Sequence, residues 1–412
     1  MNSISKLKGR NSLIRLNNEQ EMVVDRAIDW FYHGTNQVFE FDGLPGTGKS
    51  VTLMEIVKAL NLNPMTEIAA MSFIGSASLV MRMKGLVNAK TAHSWIFNVF
   101  SEPLKDDHGK VIMDDLLNCP IMKPVFVPVD HLDPNIKLII IDEAYSMPRS
   151  LRPIIEKFGI KILATGDKNQ LPPVKDLPAF LYDPNIYHLT KCMRQMGRDD
   201  IIYIADRVNN GLPLANGYYG NSLVINNSDL TDNMLMWADA IICCKNKTRD
   251  ELNKKIRQIK GYKSKLPQYG EKVVCRNNNW LEFIMDNNYA INLCNGLIGT
   301  VMNCPDISTF DGKLFSMDFK PDLVPNGIFF DSRCNYKYIT SDYDDRKRIK
   351  ETKWELGNKF EFAYAITAHI AQGSQFHKVI YIEEKMYPQI QSALNLVGAT
   401  RADQNLIYVK NY

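Results

Sequence analysis

The residues best suited to chemistry form one short stretch, Gly43-Leu44-Pro45-Gly46-Thr47-Gly48-Lys49-Ser50, which has the spacing of a phosphate-binding loop. Glycines there let the backbone turn tightly, so that successive N–H groups point inward toward an anion. Val38–Phe41 has the pattern of a strand before the loop, and Val51–Leu60 that of a helix after it. The start of such a helix adds positive partial charge. This context favours a nucleotide site over a chance match in a glycine-bearing turn.

Two side chains of the loop have distinct expected tasks. Lys49 would reach the β- and γ-phosphates, and the Ser50 hydroxyl would be a ligand of Mg²⁺. The other predicted ATP contacts in the loop are Gly43, Pro45, Gly46, Thr47 and Gly48.

A second chemical signal is the apolar run Leu138–Ile141, which ends in Asp142 and Glu143. A carboxylate at the end of a buried strand beside the loop can hold Mg²⁺, and we assign this role to Asp142. Glu143 fits a general base that orients or deprotonates the attacking water. The alternative is an ordinary strand end, where acids are common. The two motifs together predict ATP hydrolysis with Mg²⁺ as the cofactor.

The composition excludes several classes of protein. The chain has 412 residues, 45% of them hydrophobic and 23% charged, which is typical of a globular protein with two or more domains. A net charge of +3 is too small to imply a nucleic-acid partner by itself. No apolar run is long enough for a bilayer, so we expect no membrane association. Eight scattered cysteines without a C-x-x-C pair predict reduced thiols and a cytoplasmic location.

The elements around these motifs alternate between short apolar runs and helical stretches. Near-continuous apolar strands are typical of a sheet covered on both faces, and alternation with helices favours parallel α/β domains. Residues 102–133 and 270–350 break this rhythm with turn residues and predict a hairpin insertion and a small β insertion. The apolar runs are Ile68–Met71, Leu138–Ile141, Lys161–Ala164, Ile241–Cys244, Val379–Ile382 and Leu406–Val409.

The order of the motifs resembles superfamily 1 helicases, in particular the 5′→3′ branch with the RecD-like enzymes and the phage Dda helicase. Beyond the loop and Asp142-Glu143, the resemblance rests on Leu16–Gln20, Gly166–Val174, Leu189–Gln195, Tyr364–Phe376 and Gly398–Arg401. It implies that Gln20 contacts adenine, that Gln170 couples the γ-phosphate to DNA, and that Arg194 contacts the γ-phosphate. It also implies that Arg401 is an arginine finger from the second domain. Gln375 stands where relatives often have a ribose-binding Glu.

The same resemblance implies a set of DNA-backbone contacts: Ser72, Thr91, His93, Thr367 and His369. The family usually has Pro-Thr where this chain has Met71-Ser72. For either histidine, a hydrogen-bonded core residue is the alternative. The basic stretch Lys245–Lys265 predicts either a phosphate-tracking helix face or a solvated one. We expect Arg346-Lys347-Arg348 to be a solvated loop.

We therefore expect two RecA-like parallel-sheet P-loop domains with small β-rich insertions. The limits are a flexible tail at 1–15, domain 1A at 16–195 with hairpin insertion 1B at about 100–133, domain 2A at 196–262 and 353–412, and insertion 2B at 263–352.

The resemblance implies an ATP-dependent DNA helicase that moves 5′→3′, in phage replication or recombination. Its partners would be single-stranded and forked duplex DNA and a single-strand-binding or other replication protein, and it would be a monomer in the cytoplasm of a host cell. Two alternatives stay open. One is an RNA-directed superfamily 1 helicase, and the other is a nucleotide-gated binding ATPase that does not unwind.

Overall fold

The computed structural model describes residues 15–113, 119–173, 176–181, 186–191, 199–286, 289–303, 314–349 and 357–410. Helices and strands alternate through most of these ranges. The helices are α1 (Asn18–His33), α2 (Lys49–Leu60), α3 (Gly75–Met83), α4 (Ala92–Ile96), α5 (Arg152–Glu156), α6 (Asp199–Asn209), α7 (Asp232–Trp237), α8 (Asn246–Ile259), α9 (Tyr336–Thr340), α10 (Tyr343–Arg348), α11 (Ala368–Ala371) and α12 (Pro388–Ala399).

The first half of the chain forms a six-stranded parallel sheet, with neighbours in the order β3, β2, β6, β7, β1, β8. Its strands are β1 (Val38–Gly43), β2 (Ile68–Ser72), β3 (Lys90–Thr91), β6 (Leu138–Ile141), β7 (Lys161–Gly166) and β8 (Tyr187–Leu189). β2 and β6 are buried throughout, as expected for apolar strands with helices on both faces. The carboxyl ends of these strands meet at one edge of the sheet, where β1 leads into the phosphate-loop residues.

The second half forms another six-stranded sheet, in the order β19, β11, β20, β21, β10, β9. All pairs are parallel except the edge pair of β9 and β10. Its strands are β9 (Gly217–Tyr219), β10 (Ser222–Asn226), β11 (Ala240–Cys243), β19 (Ala365–Thr367), β20 (Phe376–Ile382) and β21 (Ala402–Lys410). The prediction of an α/β fold with two parallel-sheet domains is confirmed.

The β insertions also take shape as small antiparallel sheets. A five-stranded sheet contains β12 (Lys272–Cys275), β15 (Ile298–Val301), β16 (Leu314–Pro321), β17 (Phe329–Asn335) and β18 (Phe360–Phe362). Two hairpins project beside it, namely β4 with β5 (Phe97–Pro103 and Met122–Pro128) and β13 with β14 (Asn279–Asp286 and Tyr289–Leu293). β18 lies after residue 352, so this sheet extends beyond the range expected for the insertion, and the domain limits stay predictions.

The domains and insertions contact each other through a few defined residues. Leu171 packs in the core of the second parallel domain, although in sequence it lies between β7 and β8 of the first sheet. Leu79 on α3 packs in the core of the β insertion. The two hairpins meet near the ends of their strands that lie away from the turns, where Phe126 and Trp280 pack edge to face with ring centroids 4.7 Å apart. No helix among the described residues is long and apolar enough to cross a membrane.

The expectation of a solvated loop at Arg346–Arg348 is wrong for the loop and for Arg346, whereas Lys347 and Arg348 are exposed as expected and pair with Asp344 and Asp345. These residues end the helix α10, and the Arg346 side chain is mostly buried. Its guanidinium lies 3.0 Å from Glu361 and 3.2 Å from Asp250. The buried position of Arg346 could not be predicted from the sequence, because its partners Asp250 and Glu361 are distant in the chain. The acids nearby in sequence suggested local charge compensation instead.

Candidate active site

The phosphate loop joins the end of β1 to the start of α2, as predicted. Gly46 and Gly48 have φ values of 89° and 84°, in the left-handed region that favours glycine. Gly43 is required for a different reason. A Cβ atom placed on it would lie 2.5 Å from Thr47 Oγ1 and 2.9 Å from Leu189 Cβ. The loop therefore needs glycine at all three positions.

Lys49 and Ser50 begin α2 and project from the loop. Lys49 Nζ donates to the carbonyl oxygens of Gly43, at 2.6 Å, and Leu44, at 3.2 Å. Ser50 Oγ accepts a hydrogen bond of 2.9 Å from Lys84 Nζ. The ammonium of Lys49 thus lies over its own loop, where it can meet a phosphate held by the loop amides.

The two predicted acids follow β6 directly. Glu143 has a left-handed backbone, with φ 52° and ψ 40°, and its N–H donates to Asp142 Oδ1 at 2.9 Å. Burial raises the pKa of the Glu143 carboxyl, and Asp142 raises it further, whereas Lys49 and Arg401 lower it. A carboxylate with a raised pKa beside a second carboxylate is the usual environment of a catalytic base.

The sequence analysis missed Asp167 as a member of this site. It follows the end of β7 and is 1% exposed. Burial raises its pKa and Lys49 lowers it, so this carboxyl shares the electrostatic environment of Lys49 and Glu143. The available signal was an acid at the end of an apolar strand, the same pattern that identified Asp142.

Gln170 lies next to Asp167, as its place in the same turn requires. It is 4% exposed, and its Nε2 is 3.5 Å from Asp167 Oδ2. Its Oε1 is buried without a hydrogen-bond partner among the described residues. A buried amide oxygen of this kind can accept from a water molecule or a protonated group in the site.

Arg401 brings the second domain to the acids of the first. It lies between α12 and β21 and is 6% exposed. Its Nε donates to Val397 O at 3.1 Å, and its Nη1 donates to Ser374 O at 3.3 Å. These bonds hold a guanidinium that is close enough to Glu143 to lower the pKa of that carboxyl.

The predicted adenine contact, Gln20, braces the phosphate loop. Gln20 Nε2 donates to the Thr47 carbonyl at 3.1 Å, and its Oε1 accepts from Asn17 N at 3.0 Å in a capping box. The side chain is 2% exposed, so its adenine contact stays a prediction. Arg194 falls outside the described residues, and its role also stays a prediction.

Gln375 lies apart from the phosphate loop. Its side chain is exposed and lines a cavity of about 430 Å³ with Tyr364, Lys260 and Lys272. The cavity lies between the second parallel domain and the β insertion, and no residue of the phosphate loop lines it. This position argues against a ribose contact by Gln375 in this conformation.

One of the predicted DNA contacts, Thr91, lines a cleft between the first domain and the hairpin β13–β14, and a second, His93, packs on a residue that lines it. The cleft has a volume of about 390 Å³ and is lined by Lys90, Thr91, Phe97 and Trp280, among others. Thr91 caps α4 and its Oγ1 lies 2.8 Å from Ser94 Oγ. His93 stacks on Phe97 with centroids 5.9 Å apart, and burial lowers its pKa. Cations and aromatic rings in one cleft suit phosphates and bases.

The remaining predicted contacts differ in exposure. Ser72 is fully buried, and its Oγ accepts a hydrogen bond from Ile74 N at 3.4 Å. This burial argues against a contact between the Ser72 hydroxyl and the DNA backbone. Thr367 is 6% exposed and caps α11 through its backbone only. His369 is exposed to solvent on one side. Partial desolvation by the surrounding protein lowers its pKa, and the positive charge of Arg276 lowers it further.

The oxygen donors of the loop and of β6 fit Mg²⁺. Among the described residues, no three histidine, cysteine or acidic side chains gather into a metal cage. Mg²⁺ beside nucleotides is bound through one or two protein oxygens and the phosphates, so such a cage is not required. Ser50 and Asp142 supply a hydroxyl and a carboxylate of this type.

Comparisons with known proteins agree with this site. Residues 15–222 match the family AAA_30, described as an AAA domain. The matched residues include the phosphate loop, both acids and Gln170. A stretch of 191 residues is 22% identical to the uncharacterized protein R530 of Acanthamoeba polyphaga mimivirus. That match covers 42% of this chain, and the chain spans about a third (36%) of the length of that relative.

Three solved structures match nearly the whole chain. In a complex of two coordinating Pif1 helicases at forked double-stranded DNA, identity is 16% and the TM-score 0.55, covering 96% of this chain and 92% of that one. For Pif1 helicase from Candida albicans, identity is 16% and the TM-score is 0.51, and the match covers 96% of this chain and 94% of that one. For Bacteroides Pif1 bound to single-stranded DNA, identity is 14% and the TM-score is 0.53, and the match covers 96% of this chain and 92% of that one.

At these identities the solved structures establish the fold, and it is the two-domain fold that the sequence resemblance implies. The family match covers half of the chain. The protein therefore belongs to the AAA domain family, and it has the two-domain fold of the Pif1 helicases.

Proposed function

We propose that this protein is an ATP-dependent DNA helicase that hydrolyses ATP between its two parallel domains. It moves 5′→3′ along single-stranded DNA and separates duplexes, in phage replication or recombination. One observation carries the proposal: the Glu143 carboxyl of the first domain lies under the influence of both Lys49 and Arg401. A base, a phosphate-binding lysine and an arginine from the other domain are the parts that ATP hydrolysis requires.

Each residue of the site has a task in that reaction. The loop amides and Lys49 bind the phosphates, and Glu143 accepts a proton from the attacking water. Mg²⁺, held by Ser50 and Asp142, would neutralise charge on the phosphates. The unpartnered Oε1 of Gln170 can hold the water in line. Arg401 stabilises the negative charge that develops on the γ-phosphate.

The motion follows from the placement of these residues on two domains. Bound ATP attracts the first domain through Lys49 and the second through Arg401, so the nucleotide draws the domains together. Hydrolysis removes the γ-phosphate and weakens this bridge, and the domains separate. Alternation between the two states converts turnover into movement along a strand.

The nucleic-acid assignment has two supports. The cleft beside Thr91 combines Lys90 with the rings of Phe97 and Trp280, which suits a single strand. The two Pif1 structures with bound DNA hold single-stranded and forked double-stranded DNA. The 5′→3′ direction, a single-strand-binding partner and the monomeric state rest on the family resemblance.

The test is strand separation on duplexes that carry a single-stranded tail at either end. The proposal predicts ATP-dependent unwinding of the 5′-tailed duplex, with ATPase activity stimulated by DNA oligomers more than by RNA oligomers. The variant Lys49→Ala is the matched control and should unwind neither duplex. Unwinding of the 3′-tailed duplex alone would contradict the direction. Preferential stimulation by RNA would favour an RNA helicase, and stimulated turnover without strand separation would favour a binding ATPase.

A further inference from the structure

Lys84 is a cation in contact with the predicted magnesium ligand, and no motif identifies it. It follows α3 directly, and its backbone N–H donates to the carbonyl oxygens of Val80 and Met81, both at 3.2 Å. Its Nζ reaches across to Ser50 Oγ at 2.9 Å. The contact therefore ties the end of α3 to the start of α2.

The position of this ammonium conflicts with a metal ion on the same oxygen. Ser50 would offer its oxygen to Mg²⁺, and an ammonium at hydrogen-bond distance from that oxygen would repel the metal. Lys84 is exposed, so its hydrogen bond is of the weak type that solvent can replace. The lysine can leave when the metal arrives with the nucleotide.

The helix that Lys84 terminates touches the rest of the molecule along its length. A Cβ atom on Gly373, in the second domain, would lie 3.2 Å from Ala77 Cβ. Arg82 donates to Ala290 O in the hairpin β13–β14, at 3.5 Å, and lies 5.5 Å from the centre of the Tyr289 ring. A shift of α3 therefore reaches both the second domain and the DNA cleft that this hairpin lines.

We propose that Lys84 holds the Ser50 hydroxyl until magnesium and nucleotide displace it, and that α3 transmits this exchange to the hairpin β13–β14. Lys84 is thus a positioning residue that acts through Ser50. The inference rests on the proposed nucleotide site and adds a coupling route to it.

The experiment is a Mg²⁺ titration of the binding of a fluorescent ADP analogue. Losing one hydrogen bond between exposed groups changes an equilibrium about 2- to 10-fold. Lys84→Ala should therefore lower the half-saturating Mg²⁺ concentration by that factor, and Lys84→Arg should restore the wild-type value. The control is Lys58→Ala on α2, whose partner Glu55 is 2.7 Å away, and it should match wild type.

A second arm tests the transmission through α3. If α3 couples the sites, single-stranded DNA changes the half-saturating Mg²⁺ concentration, because coupling between sites is reciprocal. This DNA effect should be present in wild type and in Lys58→Ala, and lost in Lys84→Ala. The same Mg²⁺ dependence in Lys84→Ala and wild type would overturn the role of Lys84, and a DNA effect that survives would overturn the coupling. Wild-type protein that binds no ADP would overturn the proposed function as well.

Discussion

Arg401, just before β21 in the second domain, lowers the pKa of Glu143, which follows β6 in the first domain. The two residues are brought together only by the folding of the whole chain. Since Lys49 acts on the same carboxyl, a charged site lies between the two parallel sheets. A nucleotide bound at the phosphate loop there would contact both domains.

The first prediction concerns Arg401. Replacement by Ala should lower kcat for DNA-stimulated ATP hydrolysis by about 10³-fold or more, because arginine fingers stabilise the transition state more than the ground state. Nucleotide affinity should change far less. Steady-state kinetics and direct binding of an ATP analogue measure the two effects. Arg348→Ala, at an exposed arginine, is the control. An equal loss of affinity and turnover would argue against a finger.

The second prediction is a pH dependence that originates at Glu143. Burial raises the pKa of this carboxyl, and a general base works only when ionised, so kcat should fall with decreasing pH at a value above the usual glutamate range. Arg401 lowers that pKa. Its replacement by Gln should therefore raise the pKa and move the acidic limb of the residual activity to higher pH.

The measurement for this second prediction is kcat as a function of pH for both proteins. An acidic limb that stays in place, or moves to lower pH, would show that Arg401 does not act on the ionisation that limits the rate. Arg348→Ala should leave the limb where it is.

The third prediction concerns single-strand binding in the cleft beside Thr91. Lys90 lies in this cleft, and its Nζ is 4.9 Å from the centre of the Trp95 ring. If Lys90 contacts a phosphate, Lys90→Ala should weaken binding of every oligonucleotide sequence. It should also reduce the magnitude of the slope of log K against log salt concentration by about one. Fluorescence anisotropy at several salt concentrations measures both.

The control for Lys90 is Lys123→Ala, in the hairpin β4–β5, where the lysine pairs with Glu102 at 2.8 Å. A Lys90→Ala protein with wild-type affinity and an unchanged salt slope would remove the cleft from the DNA path.

The fourth prediction concerns an ion-pair network that joins the insertion to the second domain. Glu361 is 4% exposed and lies 2.7 Å from Arg249, 3.1 Å from Arg276 and 3.0 Å from Arg346. Glu361→Ala removes the carboxylate that the three guanidinium groups share, and Asp250 remains beside Arg249 and Arg346. Removing one partner of a buried ion pair costs about 3–5 kcal/mol of unfolding free energy.

Thermal unfolding followed by circular dichroism should therefore show a lower melting temperature for Glu361→Ala. Glu102→Ala breaks the exposed pair with Lys123, which is worth no more than about 1 kcal/mol. This variant should therefore change the melting temperature little. Equal melting temperatures for the two variants would mean that the network contributes no net stability.

Local sequence signals were sufficient for the parts of the site that are local in the chain. The strand, loop and helix around Lys49 and the acids after β6 depend on residue types within a few positions, and the structure contains them as predicted.

Contacts between distant segments could not be predicted in this way. The bond from Lys84 to Ser50 and the packing of Phe126 on Trp280 depend on how domains and hairpins dock. Burial is hidden for the same reason. Ser72 has the polarity of a surface contact, yet it lies at the end of a fully buried strand. The family resemblance supplied roles but not exposure, and Gln375 illustrates the difference.

The account depends most on closure of the two domains around one nucleotide. Energy transfer between fluorophores at the exposed positions Lys58 and Lys385 would report it, since the first lies on α2 and the second follows β20. Adding Mg²⁺ with a non-hydrolysable ATP analogue should shorten the distance in the wild-type background and leave it long in Arg401→Ala. A wild-type distance that does not change with nucleotide would contradict the central claim.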